Sequence, residues 1–223
     1  MMHPENQRRA YLRAMGIDVW LPRDAAESEM SAAVESPDGM NWDELRDRVT
    51  HCTRCELSKS RTNTVFGVGN PNADWLIIGE APGAEEDRRG EPFVGRAGTL
   101  LDEMLRAIGQ SRDSVFIANI LKCRPPNNRD PRPEEAAACR QYLERQIELV
   151  QPKIVLAVGK IAAQNLLGCS EPVGKMRGRT HDFGGIPLVV TYHPAYLLRS
   201  PSQKAKSWSD LCLATRLVAE HGS

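Results

Sequence analysis

The residues best suited to chemistry are a set of cysteines and a few polar side chains that close apolar runs. Cys52 and Cys55 form a C-x2-C pair, so a single turn offers two thiolates; Cys123 and Cys139 lie far along the chain and can join them only after folding. Four thiolates suit either a zinc ion or a 4Fe–4S cluster. The pattern lacks the paired C-x2-C knuckles of a zinc ribbon, yet spacing alone does not choose between the two. Cys169 and Cys212 stand in apolar helical contexts, where small buried side chains are expected. Among the polar groups, Glu80 follows the run WLIIG and opens a turn containing Pro82 and Gly83. Asn119 closes a second run, and His193 follows a third, PLVVTY. A carboxylate, an amide and an imidazole can between them position water, read a hydrogen-bonding edge and stabilise developing charge. Each also has an ordinary explanation as a cap, a turn former or a core residue.

These groups must be positioned by the elements that carry them. WLIIGE (75–80), VFIANI (115–120), KIVLAVG (153–159) and PLVVTY (187–192) read as buried strands. Between and around them run helical patterns: WDELRDRVTHC from Trp42, TLLDEMLRAIG (99–109), PEEAAACRQYLERQIELVQP (133–152), KIAAQNLLG, and a closing helix over 203–221. Strands alternating with helices predict a three-layer α/β/α sandwich around a central, mostly parallel four-stranded sheet. In such sheets the site lies at the carboxyl ends of the strands. Each strand here ends in a polar or Gly-rich loop.

The 223 residues suffice for one domain plus an appended segment. Residues 1–40 read as an N-terminal extension, a short helix with an apolar tail followed by the acidic linker DAAESEMSAAVESPDGM, and residues 41–223 as the main domain. The extension is expected to dock on the body or on a protein partner. No apolar run approaches the roughly 18 residues of a membrane span, and no secretory leader is evident, so a cytoplasmic location is expected. In that compartment cysteines argue for ligation before disulfides. Net charge is zero, but its distribution is uneven: of 29 basic and 29 acidic residues, residues 1–47 hold 5 and 10. The body is therefore mildly basic. Clusters at Lys122, Arg124, Arg129 and Arg132, at Lys175, Arg177 and Arg179, and at Arg199, Lys204 and Lys206 suit phosphate contacts.

GEAPGAEEDRRGEPFVGRAGTLLDEML (79–105), ANILKCRPPNNRDPRPEEAAAC (118–139) and HPAYLLRSP (193–201) closely resemble the family 4 uracil-DNA glycosylases, over roughly residues 41–220 and in the family's order. The resemblance places Cys52, Cys55, Cys123 and Cys139 at cluster-ligand positions and so implies a 4Fe–4S cofactor, mainly structural. It implies excision of uracil from DNA by a monofunctional enzyme. The nucleotide is flipped into a pocket and attacked by water, with no lyase step. Uracil-binding positions would be Glu80, Ala81, Pro82, Glu86, Phe93, Asn119 and His193: Phe93 stacks on the base, Asn119 reads O4 and N3–H, and His193 donates to O2 of the leaving group. Ala81 stands where many uracil glycosylases carry a water-positioning Asp, which leaves Glu80 as the first candidate for that task. Glu86 is expected either to share it or to crowd C5 and exclude thymine. Catalysis would thus fall to Glu80, Asn119 and His193. On the DNA side, Leu197 and Leu198 are expected as exposed wedge residues, and Arg199 and Ser200 as phosphate contacts. No lysine is expected where a Schiff-base nucleophile would stand, and the enzyme is expected to scan DNA as a monomer. Glu80 argues against a relative with hypoxanthine or xanthine activity. A basic, His-containing insertion typical of covalent uracil-DNA trapping is not found, and an iron–sulfur interaction module remains the reading from a different class.

Overall fold

Apolar runs without polar interruption fit only the interior of a sheet covered on both faces. In the computed structural model, which describes residues 36–220 together with Met15, four such runs become adjacent parallel strands: β2 (Trp75–Gly79), β3 (Phe116–Asn119), β4 (Ile154–Val158) and β6 (Ile186–Thr191). Two short strands, β1 (Val68–Gly69) and β5 (Thr180–Phe183), add antiparallel edges, giving the order β1-β3-β2-β4-β6-β5. The sheet therefore has six strands rather than the expected four. Both additions escaped the sequence for a physical reason. β1 is two residues long, and β5 reads Thr-His-Asp-Phe with every residue partly or fully exposed, so neither makes an apolar run.

Side chains alternate across the pleat, and two cores result. Leu76, Ile78, Phe116, Ala118, Val155, Ala157, Leu188 and Val190 share one face with residues of α1 (Trp42–Thr50), α4 (Pro133–Val150), α5 (Lys160–Leu167) and α6 (Val173–Met176). Trp75, Ile77, Ile117, Ile154, Leu156, Val158 and Val189 share the other with α3 (Arg96–Ala107), α7 (Pro194–Arg199) and α8 (Lys204–Glu220). A further helix, α2 (Ala84–Arg89), follows the turn after β2.

Helix starts follow local chemistry. Asn41 Oδ1 accepts from the Asp43 and Glu44 N–H groups while Glu44 accepts from Asn41 N–H, a complete capping box for α1. α4 opens with Pro133, and buried Glu135 accepts from Arg132 N–H and from the Arg129 guanidinium. The main domain belongs to one compact unit that begins at Pro37. The expected short helix and most of the acidic linker lie outside the described residues, but the end of that linker belongs to the domain: Pro37 is buried and Met40 O accepts from the Arg145 guanidinium. Among the described residues no helix is long and apolar enough to cross a membrane.

Candidate active site

The chain runs from β2 outward to β3 and then crosses back to β4, and ligands bind where strand order reverses in this way. A cleft of about 800 Å³ opens there, lined from the carboxyl ends of β2, β3, β4 and β6 and from α2 and α7. Its floor is built by omission. Gly79 pairs with Asn119 in the β2–β3 register; a Cβ on Gly79 would lie 2.4 Å from Asn119 Oδ1 and 2.6 Å from the Phe93 ring. The amide and the ring edge therefore converge over a bare Cα. Gly159, at φ +97°, performs the same service for the imidazole: a Cβ there would sit 3.0 Å from His193 Cβ. The Phe93 and His193 rings are stacked, with centroids 5.6 Å apart and planes inclined by 27°.

His193 caps α7, its Nδ1 accepting from Ala195 N–H at 3.1 Å. Burial, helped by Arg199 and opposed by Glu86, holds its pKa down to about 4. At neutral pH the ring is uncharged, and with Nδ1 accepting, the proton sits on Nε2. Glu80 is shifted the other way. Burial, with Asp130 nearby and Lys160 opposing, raises its pKa to about 7. The strand that delivers His193 is anchored from below, where fully buried Asp210 accepts from Thr191 Oγ1 and from the Arg177 guanidinium.

Phe93 is in the left-handed region at φ 54°, a cost of roughly 1–3 kcal/mol for a bulky residue. The surroundings impose it. Arg112 donates to the carbonyls of Pro92 and Phe93, Glu86 accepts from Val94 N–H at 3.1 Å, and α3 presses its Gly98 against the Phe93 carbonyl. Glu86, which also lines the cleft, is thus committed at one oxygen to holding this turn.

On the far side of β3, Cys52, Cys55, Cys123 and Cys139 line one small cavity with Arg61, Lys122 and Tyr142. Cys52 and Cys55 come from the segment after α1, Cys123 from the loop after β3 and Cys139 from α4. Arg61 donates to Cys123 Sγ at 3.2 Å, and Lys122 N–H to Cys139 Sγ at 3.3 Å. Burial pushes the Cys139 thiol up to about 12 and raises that of Cys123, so thiolates here require compensating positive charge. Among the described residues no three His, Cys, Asp or Glu side chains are gathered closely enough to hold a metal ion. The four thiols instead surround a shared space. Cys169 and Cys212 stand apart and are half-buried rather than enclosed; Cys169 contacts Met176.

Residues 66–213 match the sequence model of the Uracil DNA glycosylase superfamily. The chain is 42% identical over 176 residues to a type-4 uracil-DNA glycosylase of Archaeoglobus fulgidus, covering 75% of this chain and 88% of the relative. It is 47% identical over 164 residues to one of Thermotoga maritima, covering 73% and 85%. A type-5 uracil-DNA glycosylase of Pyrobaculum aerophilum shares 29% over 200 residues, covering 74% and 87%. Identity is thus higher to the type-4 proteins than to this type-5 relative at similar coverage. The chain belongs to the type-4 uracil-DNA glycosylase family.

In this type-4 glycosylase, Glu80, Ala81, Glu86, Phe93, Asn119 and His193 all line the cleft; Pro82 is buried beside it and is not part of the lining. Pro194–Arg199 is helix α7, capped by His193, and not a loop. That changes one expectation. Leu197 is 1% exposed and packs in the core under the sheet, so it is no wedge; Leu198 and Tyr196 are the exposed apolar residues of the helix. Arg199 lines the cleft mouth, and Ser200 ends the helix. The basic clusters are also thinner than their sequence suggests. Lys122 is buried, its Nζ donating to Asn119 O at 2.9 Å and to Gln146 at 2.6 Å, with burial holding its pKa down to about 8. Arg129 and Arg177 are engaged with Glu135 and Asp210. Sequence reasoning missed Gly79 and Gly159, whose role lies in what they lack. It also missed Asp130, Tyr192 and Lys160 of the lining. A Gly-Lys step after a buried strand was the available signal for Gly159 and Lys160.

Proposed function

We propose that the cleft receives a uracil flipped out of DNA and that the protein hydrolyses the N-glycosidic bond joining it to deoxyribose, leaving an abasic site for base excision repair. The observation that carries this reading is the convergence of the Asn119 amide and the Phe93 ring over Gly79, with neutral His193 stacked alongside. The ring offers a face for the base, the amide a donor and an acceptor for O4 and N3–H, and His193 Nε2–H a donor toward O2. As the bond breaks, negative charge accumulates on the uracil. A preorganised neutral donor stabilises that charge without first losing a proton of its own, an effect worth roughly 3 kcal/mol. The cationic sugar draws its water from the Glu80 side of the cleft. Glu80 with a pKa near 7 is part carboxylate at neutral pH, suited to orienting that water.

The four thiols support a 4Fe–4S cluster held by Cys52, Cys55, Cys123 and Cys139, since an all-sulfur set drawn from separate segments of the chain to one cavity is the donor set such a cluster takes. Bound there, the cluster would supply a cross-link between the α1–β1 segment, the β3 loop and α4. Cys123 follows Asn119 by four residues, so the same link would steady the base-reading strand. The DNA partner would meet Leu198 and Tyr196 as wedge and Arg199 and Ser200 at the flanking phosphates. Lys160 does not turn the enzyme into a lyase in this reading: an amine becomes a good nucleophile when desolvated, and Lys160 is exposed.

The test is a labelled oligonucleotide with one uracil, incubated with wild type or Asn119→Ala and split into samples with and without hot alkali. Scission at uracil only after alkali, largely lost in the variant, is the expected result. Absence of scission from wild-type protein carrying its cluster absorbance would sink the enzymatic reading, and scission without alkali would overturn the hydrolytic one.

A further inference from the structure

We propose that Arg112 is a positioning residue for uracil excision, acting from outside the cleft by holding the Phe93 ring in place. The proposal rests on the reading of Phe93 as the stacking face. Arg112 lies on the loop between α3 and β3 and is absent from the cleft lining. Its Nη2 donates to Pro92 O at 2.7 Å and its Nη1 to Phe93 O at 3.2 Å, while Asp102 on α3 accepts from Nη1 at 3.1 Å and fixes the guanidinium. Two adjacent carbonyls thus point to a single planar fork. Only arginine offers paired donors in that rigid geometry; a lysine is a single point of charge.

The conformation being held is one that phenylalanine does not adopt on its own. At φ 54° its Cβ is crowded by its own backbone, so the peptide relaxes toward negative φ unless contacts on both sides prevent it. Glu86 fixes the N–H of Val94, and Arg112 fixes the carbonyls of Pro92 and Phe93. α3 closes the third side: a Cβ on Gly98 would fall 1.7 Å from Phe93 O, so the carbonyl and the helix are in direct contact there. Release of the carbonyls lets the peptide rotate, and the ring attached to it leaves Gly79, Asn119 and His193. The loss would be felt in the chemical step, since small misplacements of a positioned group cost up to roughly a hundredfold in rate.

A double-mutant cycle separates this from general destabilisation. Single-turnover excision rates are measured for wild type, Arg112→Met, Phe93→Ala and the double variant, each carrying its cluster. Both single variants are expected to fall about tenfold or more, and the double variant to be no slower than Phe93→Ala, because Arg112 has nothing left to position. Added guanidinium should partly restore Arg112→Ala, where truncation leaves room for it, and leave Phe93→Ala unchanged. Losses that multiply in the double variant overturn the proposal while leaving Phe93's role intact. A wild-type rate for Phe93→Ala overturns the proposal and the stacking reading together. If Arg112→Met does not fold, Arg112→Lys takes its place in the cycle, and multiplying losses or a wild-type rate for Phe93→Ala overturn the proposal in the same way.

Discussion

His193 and Glu80 line one cleft with their pKa values displaced in opposite directions, and each displacement has a measurable consequence. His193, near 4, is neutral throughout the working range. His193→Ala is expected to lose about a hundredfold in single-turnover rate, and the wild-type rate is expected to show no inflection near pH 6.5. In stability the sign is set by the unfolded chain, which takes up a proton near 6.5 when the folded chain does not. This residue's contribution is therefore complete above that pH and declines as pH falls toward 4. Glu80, near 7, behaves as the reverse case. If its carboxylate orients water, the rate rises with pH through about 7, and Glu80→Gln is expected to give a lower, flat profile. The folded chain keeps a proton on Glu80 that the unfolded chain releases near 4.5, so stability is lost as pH climbs between the two values. Asn119 and His193 stood out because they close or follow apolar runs, but their roles came only from the resemblance to a known family. Protonation was not legible, since burial and neighbours such as Asp130 and Lys160 are properties of the fold.

α7 shows what an element adds to its residues. The sequence His-Pro-Ala-Tyr-Leu-Leu-Arg reads as a loop with two adjacent apolar residues, both free to reach DNA. Folded as a helix capped by His193, it sends Leu197 inward and Leu198 outward. Consecutive residues on a helix diverge by about 100°, so only one of the two can be the wedge. Leu197→Ala is expected to cost about 2–5 kcal/mol in chemical denaturation. Leu198→Ala should stay within about 0.5 kcal/mol of wild type while slowing excision more from duplex than from single-stranded uracil-DNA. Equal sensitivity on both substrates would remove Leu198 from the wedge role. The parallel strands were legible as apolar runs because both faces are buried. The edges were not, because β1 is only two residues long and β5 carries exposed polar residues in place of an apolar run.

Across the whole molecule, β3 separates two sites while joining them. Asn119 faces the cleft, and four residues later Cys123 faces the thiol cavity; fully buried Lys122 bonds Asn119 O and, through Gln146, the Phe66 carbonyl. Cys139→Ala is expected to abolish the visible absorbance of purified protein and to lower its melting temperature. A variant with normal iron content would exclude Cys139 as a ligand. Fold class was accessible from the alternation of strands and helices. The gathering of four thiols was not, because long-range contacts carry no local pattern, and only the resemblance to a known family supplied it.

The two glycines under the cleft have a consequence for how this site can change over generations. Any single-base change to a glycine codon yields glycine again, a stop, or a residue bearing a Cβ, and at Gly79 a Cβ meets Asn119 Oδ1 at 2.4 Å, at Gly159 His193 at 3.0 Å. Gly79→Ala is accordingly expected to remain folded, at a cost of about 1–3 kcal/mol, yet to lose excision along with the alignment of amide and ring. Drift at these positions has no intermediate step to pass through. Tyr196 and Leu198 at the rim, with solvent around them, are open to substitution one base at a time. An alignment of relatives is accordingly expected to keep Gly79 and Gly159 while the positions of Tyr196 and Leu198 vary.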